Sequence, residues 1–170
     1  EFSSIVQEKL EVREVNQSVL QLGYSFPTRY SDKDYFTLLV FNGLFGGFAH
    51  SRLFTEIREK EGLAYTIGSH FDIFTGLLEV YAGIEKSNRN QAMRGISREL
   101  NYIKLGRFSS SLLNQTKKII RMNALLSEDH ALTLVEQRFN KVIFGDKSLS
   151  LENWLDEICL LYTSPSPRDS

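Results

Sequence analysis

Between Leu63 and Ile84 the apolar side chains recur at every second position, and from Glu85 onward they recur every third or fourth. That change of period constrains the fold more than any other feature of the chain. Leu63, Tyr65, Ile67, Phe71 and Ile73 alternate with Thr66, His70 and Asp72; Thr75-Gly76 supplies a turn; Leu78, Val80, Ala82 and Ile84 then share one face. Period two on both sides of a turn predicts a long antiparallel hairpin. Beyond it, Ala92, Ile96, Leu100 and Ile103 form one helical stripe, and Leu112, Thr116, Ile119, Ile120 and Asn123 form a second. Leu132, Val135, Phe139, Val142 and Ile143 form a third, and a last helix is expected to begin near Ser150.

Upstream of the hairpin, Val15 to Tyr24 also alternates, with Leu20, Leu22 and Tyr24 opposite Gln17 and Gln21, and reads as a strand. Ser31-Asp32-Lys33-Asp34 resembles a capped helix start with acids in the first turn. Phe36, Leu39, Val40 and Leu44 mark one side of that helix and Tyr35, Leu38, Phe41 and Phe45 the other, so it is expected to be buried all round. Gly43, Gly46 and Gly47 punctuate its end; a shorter helix over Ser51 to Lys60, with Leu53, Phe54 and Ile57 inward, is stopped by Gly62. Strands and helices come in blocks and do not alternate one for one. The predicted class is therefore α+β: a mostly antiparallel sheet with helices packed on one face.

The bulk properties exclude some functions. Of 170 residues, 42% are hydrophobic and 24% charged, with a formal net charge of −1. Nothing in that balance argues for nucleic acid or for an anionic membrane surface as partner. No run approaches the roughly 18 apolar residues of a membrane span. The chain opens at Glu1 without a methionine and reads as cut from a longer frame. From Cys159 to Asp169 the sequence Cys-Leu-Leu-Tyr-Thr-Ser-Pro-Ser-Pro-Arg-Asp matches a one-frame translation of a common transposase adapter used in sequencing libraries. Residues 159–170 are accordingly set apart from fold reasoning, and residues 1–158 are expected to form a single domain truncated at both ends. Setting the tail aside removes the only cysteine. No disulfide, thiolate ligand or thiol nucleophile is then expected, which is consistent with the cytoplasm.

Three histidines are present, His50, His70 and His130, none three or four residues from another. His50-Ser-Arg-Leu-Phe54 lacks the acid and second histidine of H-x-x-E-H or H-E-x-x-H. His50 is expected to help start a helix and His70 to lie on the wetter face of its strand. Gly43, Gly46 and Gly47 lack the following Lys-Ser/Thr of a phosphate loop and follow a helix instead of a strand, so they read as a helix end with a tight turn. Lys117, Lys118 and Arg121, like Arg94 and Arg98, read as solvated helix surface. Arg58-Glu-Lys-Glu-Gly-Leu-Ala-Tyr65 differs from these. Arg58 sits at the edge of its helix's apolar stripe, Gly62 turns the chain, and Tyr65 falls at the start of the next strand. A guanidinium and a phenol at neighbouring element ends can both donate to one carbonyl. Spacing alone favours the plainer reading, in which Arg58 pairs with a nearby glutamate and Tyr65 lies in the core beside Leu63 and Ile67 with its hydroxyl at the rim.

The stretch from Asn42 to Tyr65, with Ser-Arg-Leu-Phe-Thr-Glu-Ile-Arg-Glu-Lys-Glu-Gly-Leu-Ala-Tyr at its centre, resembles the insulinase/pitrilysin family of inverzincin metallopeptidases. It is similar to the family's second, C-terminal-type domain, which reads roughly S-R-L-F-x-x-[IV]-R-E-x-x-G-L-A-Y. The resemblance covers most of the chain, from Val15 to Phe144. It implies a chamber enclosed by two homologous domains, one bringing zinc and H-x-x-E-H, the other an arginine and a tyrosine that bind substrate backbone. Arg58 and Tyr65 occupy those positions, and no zinc ligand has a counterpart here. Zinc is thus expected in a homologous partner domain or subunit, with a peptide as substrate. A looser likeness, around Phe41 to Ile84, points to the zinc-free partner in paired, chiefly Gram-positive, processing-peptidase-like proteins linked to modification of a translation elongation factor. Two alternatives stay open: an active peptidase whose metal motif lies upstream of Glu1, and a scaffold subunit in which the pair is relict.

Overall fold

The computed structural model describes residues 17–26, 34–72 and 75–127, and the isolated positions 153, 156 and 158. Strand β1 (Ser18–Ser25) is followed by helix α1 (Asp34–Asn42), which continues into a wide π-turn over Gly43–Gly47. A π-helix (Leu53–Lys60), strands β2 (Thr66–Asp72) and β3 (Leu77–Ile84), a short 3₁₀ turn (Lys86–Asn88), α2 (Arg89–Lys104) and α3 (Ser110–Ser127) complete the order. The predicted cap at Ser31 and the stripe from Leu132 to Ile143 lie outside the described residues.

The three strands form one antiparallel sheet in the order β1-β3-β2. The register pairs Leu20 with Ala82, Leu22 with Val80 and Tyr24 with Leu78 on one side, and Ile67 with Ala82, Ser69 with Val80 and Phe71 with Leu78 on the other. Because strand side chains alternate, this register puts all of those residues on one face. Val80, Ala82, Ile84 and Leu78 are buried there beneath the helices. The opposite face is open: Val19 is 81% exposed and Tyr81 lies across Gly68, where a Cβ would collide with the phenol. The predicted α+β layering is the observed one.

Helix α1, its π-turn and the π-helix pack on β2; α2 packs on the π-helix and π-turn, and α3 on the π-turn and α1. The shared core includes Phe36, Val40, Leu44, Phe45, Leu53, Ile57, Ala92, Ile96, Leu113 and Ile120. Helix α1 is less enclosed than its sequence suggests: Tyr35, Leu38, Leu39 and Phe41 are half-buried, and Thr37 is exposed. The buried stripe of α3 is centred on Leu113, Thr116 and Ile120, with Asn123 exposed, so the predicted stripe is rotated slightly.

Gly43, Gly46 and Gly47 do not make the expected tight turn. They lie within the helical path, none has a positive φ, and Gly43 and Gly46 are buried. Their role is close approach. A Cβ on Gly46 would stand 2.6 Å from Ser69 Oγ and 2.7 Å from Ser69 N, and one on Gly43 would stand 2.6 Å from Thr116 Cγ2. Ser69 Oγ in turn donates to Asn42 Oδ1 at 2.6 Å, tying the end of α1 to β2. Gly62 is different: its φ of 62° is the left-handed ending of the π-helix, with Leu63 N bonded to Ile57 O at 2.9 Å. Gly46→Ala is expected to lower stability by about 1–3 kcal/mol through overpacking on strand backbone. Gly62→Ala, with open space around its Cβ, should lose about 1–2 kcal/mol from left-handed strain alone. Urea denaturation of the two variants measures both, and only Gly46→Ala should be partly relieved by Ser69→Gly.

Candidate functional site

Arg58 lies in the last turn of the π-helix and Tyr65 one residue before β2, on either side of the Gly62 turn. Arg58 is 40% exposed; its guanidinium stacks over the Phe54 ring at 4.4 Å and approaches Glu59 only at 3.9 Å. The neighbouring-glutamate pairing allowed by the sequence is thus at the outer limit of an ion pair, and the side chain remains available. Tyr65 is 50% exposed. It is not the core residue that alternation with Leu63 and Ile67 allows, because the strand begins only at Thr66 and residues 61–65 are irregular. Its amide is fixed to Gly83 O at 2.8 Å, and its hydroxyl donates to Glu85 Oε1 at 2.7 Å. That bond raises the phenol's pKa above its ordinary value, so the hydroxyl stays a donor well past neutral pH. Among the described residues, no hydrogen bond or ring contact joins Arg58 to Tyr65.

The helix that carries Arg58 is anchored by charge. Glu99 is on the buried face of α2, 1% exposed, and accepts Arg52 Nη2 at 2.6 Å and Arg52 Nε at 2.8 Å on Oε2. Its other oxygen accepts Arg98 Nε at 2.8 Å, and Arg98 also bonds Glu61 at the end of the π-helix. Arg98 is therefore not the solvated cation its sequence position suggests. Lys60, with Arg52 behind it, holds the Glu56 carboxyl below its ordinary pKa, adding an exposed branch. The sequence carries one signal for this network: Glu99 interrupts the apolar stripe Ala92, Ile96, Ile103 of α2.

His50 does not start the π-helix. It sits in the preceding turn, stacked on Phe48 with ring centroids 5.5 Å apart. Thr116 Oγ1 gives its one proton to Leu112 O at 2.9 Å, so the 2.8 Å contact with His50 is a bond donated by Nε2. Burial lowers the imidazole's pKa. His70 is exposed on the outer sheet face, as expected, and His130 lies outside the described residues. Among the described residues no three His, Cys, Asp or Glu side chains are grouped so as to hold a metal ion. These donors do not fit a zinc site. Two open grooves run along α2, one past Arg94, Asn101 and Arg107, the other past Glu61 and Gln91; neither is lined by Arg58 or Tyr65. Both are too open for an enclosed ligand site.

A sequence profile described as Peptidase M16 inactive domain matches residues 2–120. The chain belongs to that family. The M16 domain is 44% identical over 152 residues to the protein named probable inactive metalloprotease YmfF of Bacillus subtilis strain 168, covering 89% of this chain and 35% of that one. It is 25% identical over 148 residues to the uncharacterized zinc protease YmxG of the same organism, covering 86% and 36%. Its fold matches the crystal structure of a conserved protein from Enterococcus faecalis V583 with a TM-score of 0.83 and 40% identity, covering 87% and 35%. The M16 domain thus spans about a third of the length of these relatives.

The charge network and the half-buried imidazole each carry an expected outcome. Glu99→Ala leaves the half-buried Arg52 its longer 3.4 Å ion pair with Glu56 and should cost about 1–3 kcal/mol, whereas Lys60→Ala, at the exposed branch, should cost under about 1 kcal/mol; thermal or urea melts of both test this. For His50 the folded pKa is depressed, so its stabilisation is present above an unfolded value of about 6.5 and is lost as pH falls through the folded one. The melting temperature should therefore drop more steeply in the native protein than in His50→Gln between about pH 7.5 and about pH 5.5.

Proposed function

We propose that this M16 domain is a non-catalytic, substrate-binding half of a zinc peptidase, presenting Arg58 and Tyr65 to the backbone of a peptide. The observation that carries the reading is the placement of the pair: both side chains are exposed donors, one ending a charge-anchored helix and one starting a strand, with only the Gly62 turn between them. Two donors that reach one carbonyl, Tyr65 by exchanging its bond to Glu85 for one to the substrate, would orient a peptide and favour its developing oxyanion. Neither side chain can activate water. A zinc-bearing homologous domain or subunit completes the site in this reading, supplying metal-bound hydroxide and a general base. The position of the pair on open surface, outside the grooves along α2, supports a half-site that needs a facing partner.

One observation favours a second reading, in which H-x-x-E-H lies upstream in the same polypeptide: the domain spans about a third of its relatives, one of which is named a zinc protease. The complete reading frame separates the two. A cytoplasmic setting and an association with modification of a translation elongation factor belong to the proposal on sequence grounds alone. The first accords with residues 1–158 carrying no cysteine.

In the complete protein assembled with its zinc-bearing partner, Arg58→Ala and Tyr65→Phe are each expected to lower kcat/KM for peptide cleavage by about ten- to a hundredfold. The melting temperature of each variant should stay near that of the native protein, because both side chains are exposed. Unchanged turnover would remove the pair from function, and turnover lost in step with unfolding would reduce it to a structural role.

A further inference from the structure

We infer that Glu85 is the specificity-determining residue of the Arg58 and Tyr65 site, selecting peptides that carry a basic side chain beside the gripped carbonyl. The inference rests on the proposed grip and names the substrate chemistry that grip would favour.

Glu85 and Tyr65 are 20 residues apart and meet through the register of the hairpin. Thr66 pairs with Gly83, and Tyr65 N bonds Gly83 O at 2.8 Å. The residue before β2 and the residue after β3 are thereby held at one end of the sheet, both at the surface. A phenol has one proton to give, and here Tyr65 gives it to Glu85 Oε1 at 2.7 Å. A peptide carbonyl can take that proton only by displacing the carboxylate. Glu85 then loses its donor and keeps its charge.

The fate of that charge depends on the cations nearby. Among the described residues Glu85 makes no ion pair. Arg58 lies over Phe54, and Lys86, the next residue, has no ion-pair contact with it. A peptide that brings a lysine or arginine side chain, or a free amine, supplies the displaced carboxylate with a new partner as it takes the phenol proton. A neutral peptide leaves Glu85 to water. An acidic one places like charges together. The order of binding is therefore basic, then neutral, then acidic, with a modest spread because the carboxylate is exposed and screened. A purely structural bond closing the end of the hairpin would give no dependence on peptide charge.

The test uses the complete protein with its zinc-bearing partner and a fluorescein-labelled neutral peptide scanned with a single Lys, Gln or Glu, read by fluorescence anisotropy. At the most sensitive position the native protein should bind the Lys peptide about three- to tenfold more tightly than the Glu peptide. Glu85→Gln keeps an acceptor for Tyr65 and should abolish that preference; Glu85→Lys should reverse it. If charge preference is absent, or survives unchanged in Glu85→Gln, while Arg58→Ala and Tyr65→Phe still weaken binding, the role of Glu85 is overturned and the grip stands. If Arg58→Ala and Tyr65→Phe leave binding of every peptide unchanged, the grip fails, and this inference with it.

Discussion

The seat of the Gly43–Gly47 π-turn on strand β2 is the contact on which the rest of the structure depends. Gly46 lies so near Ser69 that no side chain fits between helix and strand, and the Ser69 hydroxyl closes the gap by bonding Asn42. The wide turn lets α1 hand over to the π-helix without leaving the core: Leu44 and Phe45 before the seat and Leu53 and Ile57 after it are all buried. Such close packing tolerates little displacement, since even one added methylene disturbs a well-filled interior. Helices α2 and α3 then dock on the same turn, so the position of every helical element is referred to one small area of β2.

The second constraint is electrostatic. Glu99 enters the helix interface as a buried carboxylate and is tolerated because two guanidiniums, from Arg52 and Arg98, occupy both of its oxygens. Buried ion pairs add little net stability, yet they fix geometry, because losing either partner leaves an uncompensated charge. Here the geometry fixed is that of the π-helix, held at its start by Arg52 and at its end by Glu61. Arg58 projects from the last turn of that anchored helix, and Gly62 then turns the chain into the strand that begins beside Tyr65. The proposed site is thus built from ordinary folding devices whose joint effect is to leave Arg58 and Tyr65 exposed on either side of one turn.

Chain-local signals were legible. The change from period two to period three or four placed the hairpin and the two described helices after it, and Gly62 marked the left-handed helix ending. The motif from Ser51 to Tyr65 indicated the family and singled out Arg58 and Tyr65. Local pattern misleads where a residue's surroundings are set by distant chain. The glycine cluster looked like a tight turn because glycine serves both positive φ and close approach, and the sequence does not distinguish them. Tyr65 fitted the alternation of β2, but the strand starts one residue later, and that single residue decides between core and surface.

The sequence by itself determined the α+β class, the hairpin, the amphipathic faces of the helices and the spacing of Arg58 and Tyr65, because each arises from periodicity or turn chemistry within a few residues. Only the tertiary structure decided what those side chains meet. The bonds of Tyr65 to Glu85, Arg98 to Glu61, Arg52 to Glu99 and His50 to Thr116 span 20, 37, 47 and 66 residues. They exist because strand register and helix docking bring remote segments to within hydrogen-bond distance, a geometry that no local pattern encodes. The exposed phenol with a carboxylate already on its proton is a product of that register, and so is the charge selectivity inferred from it.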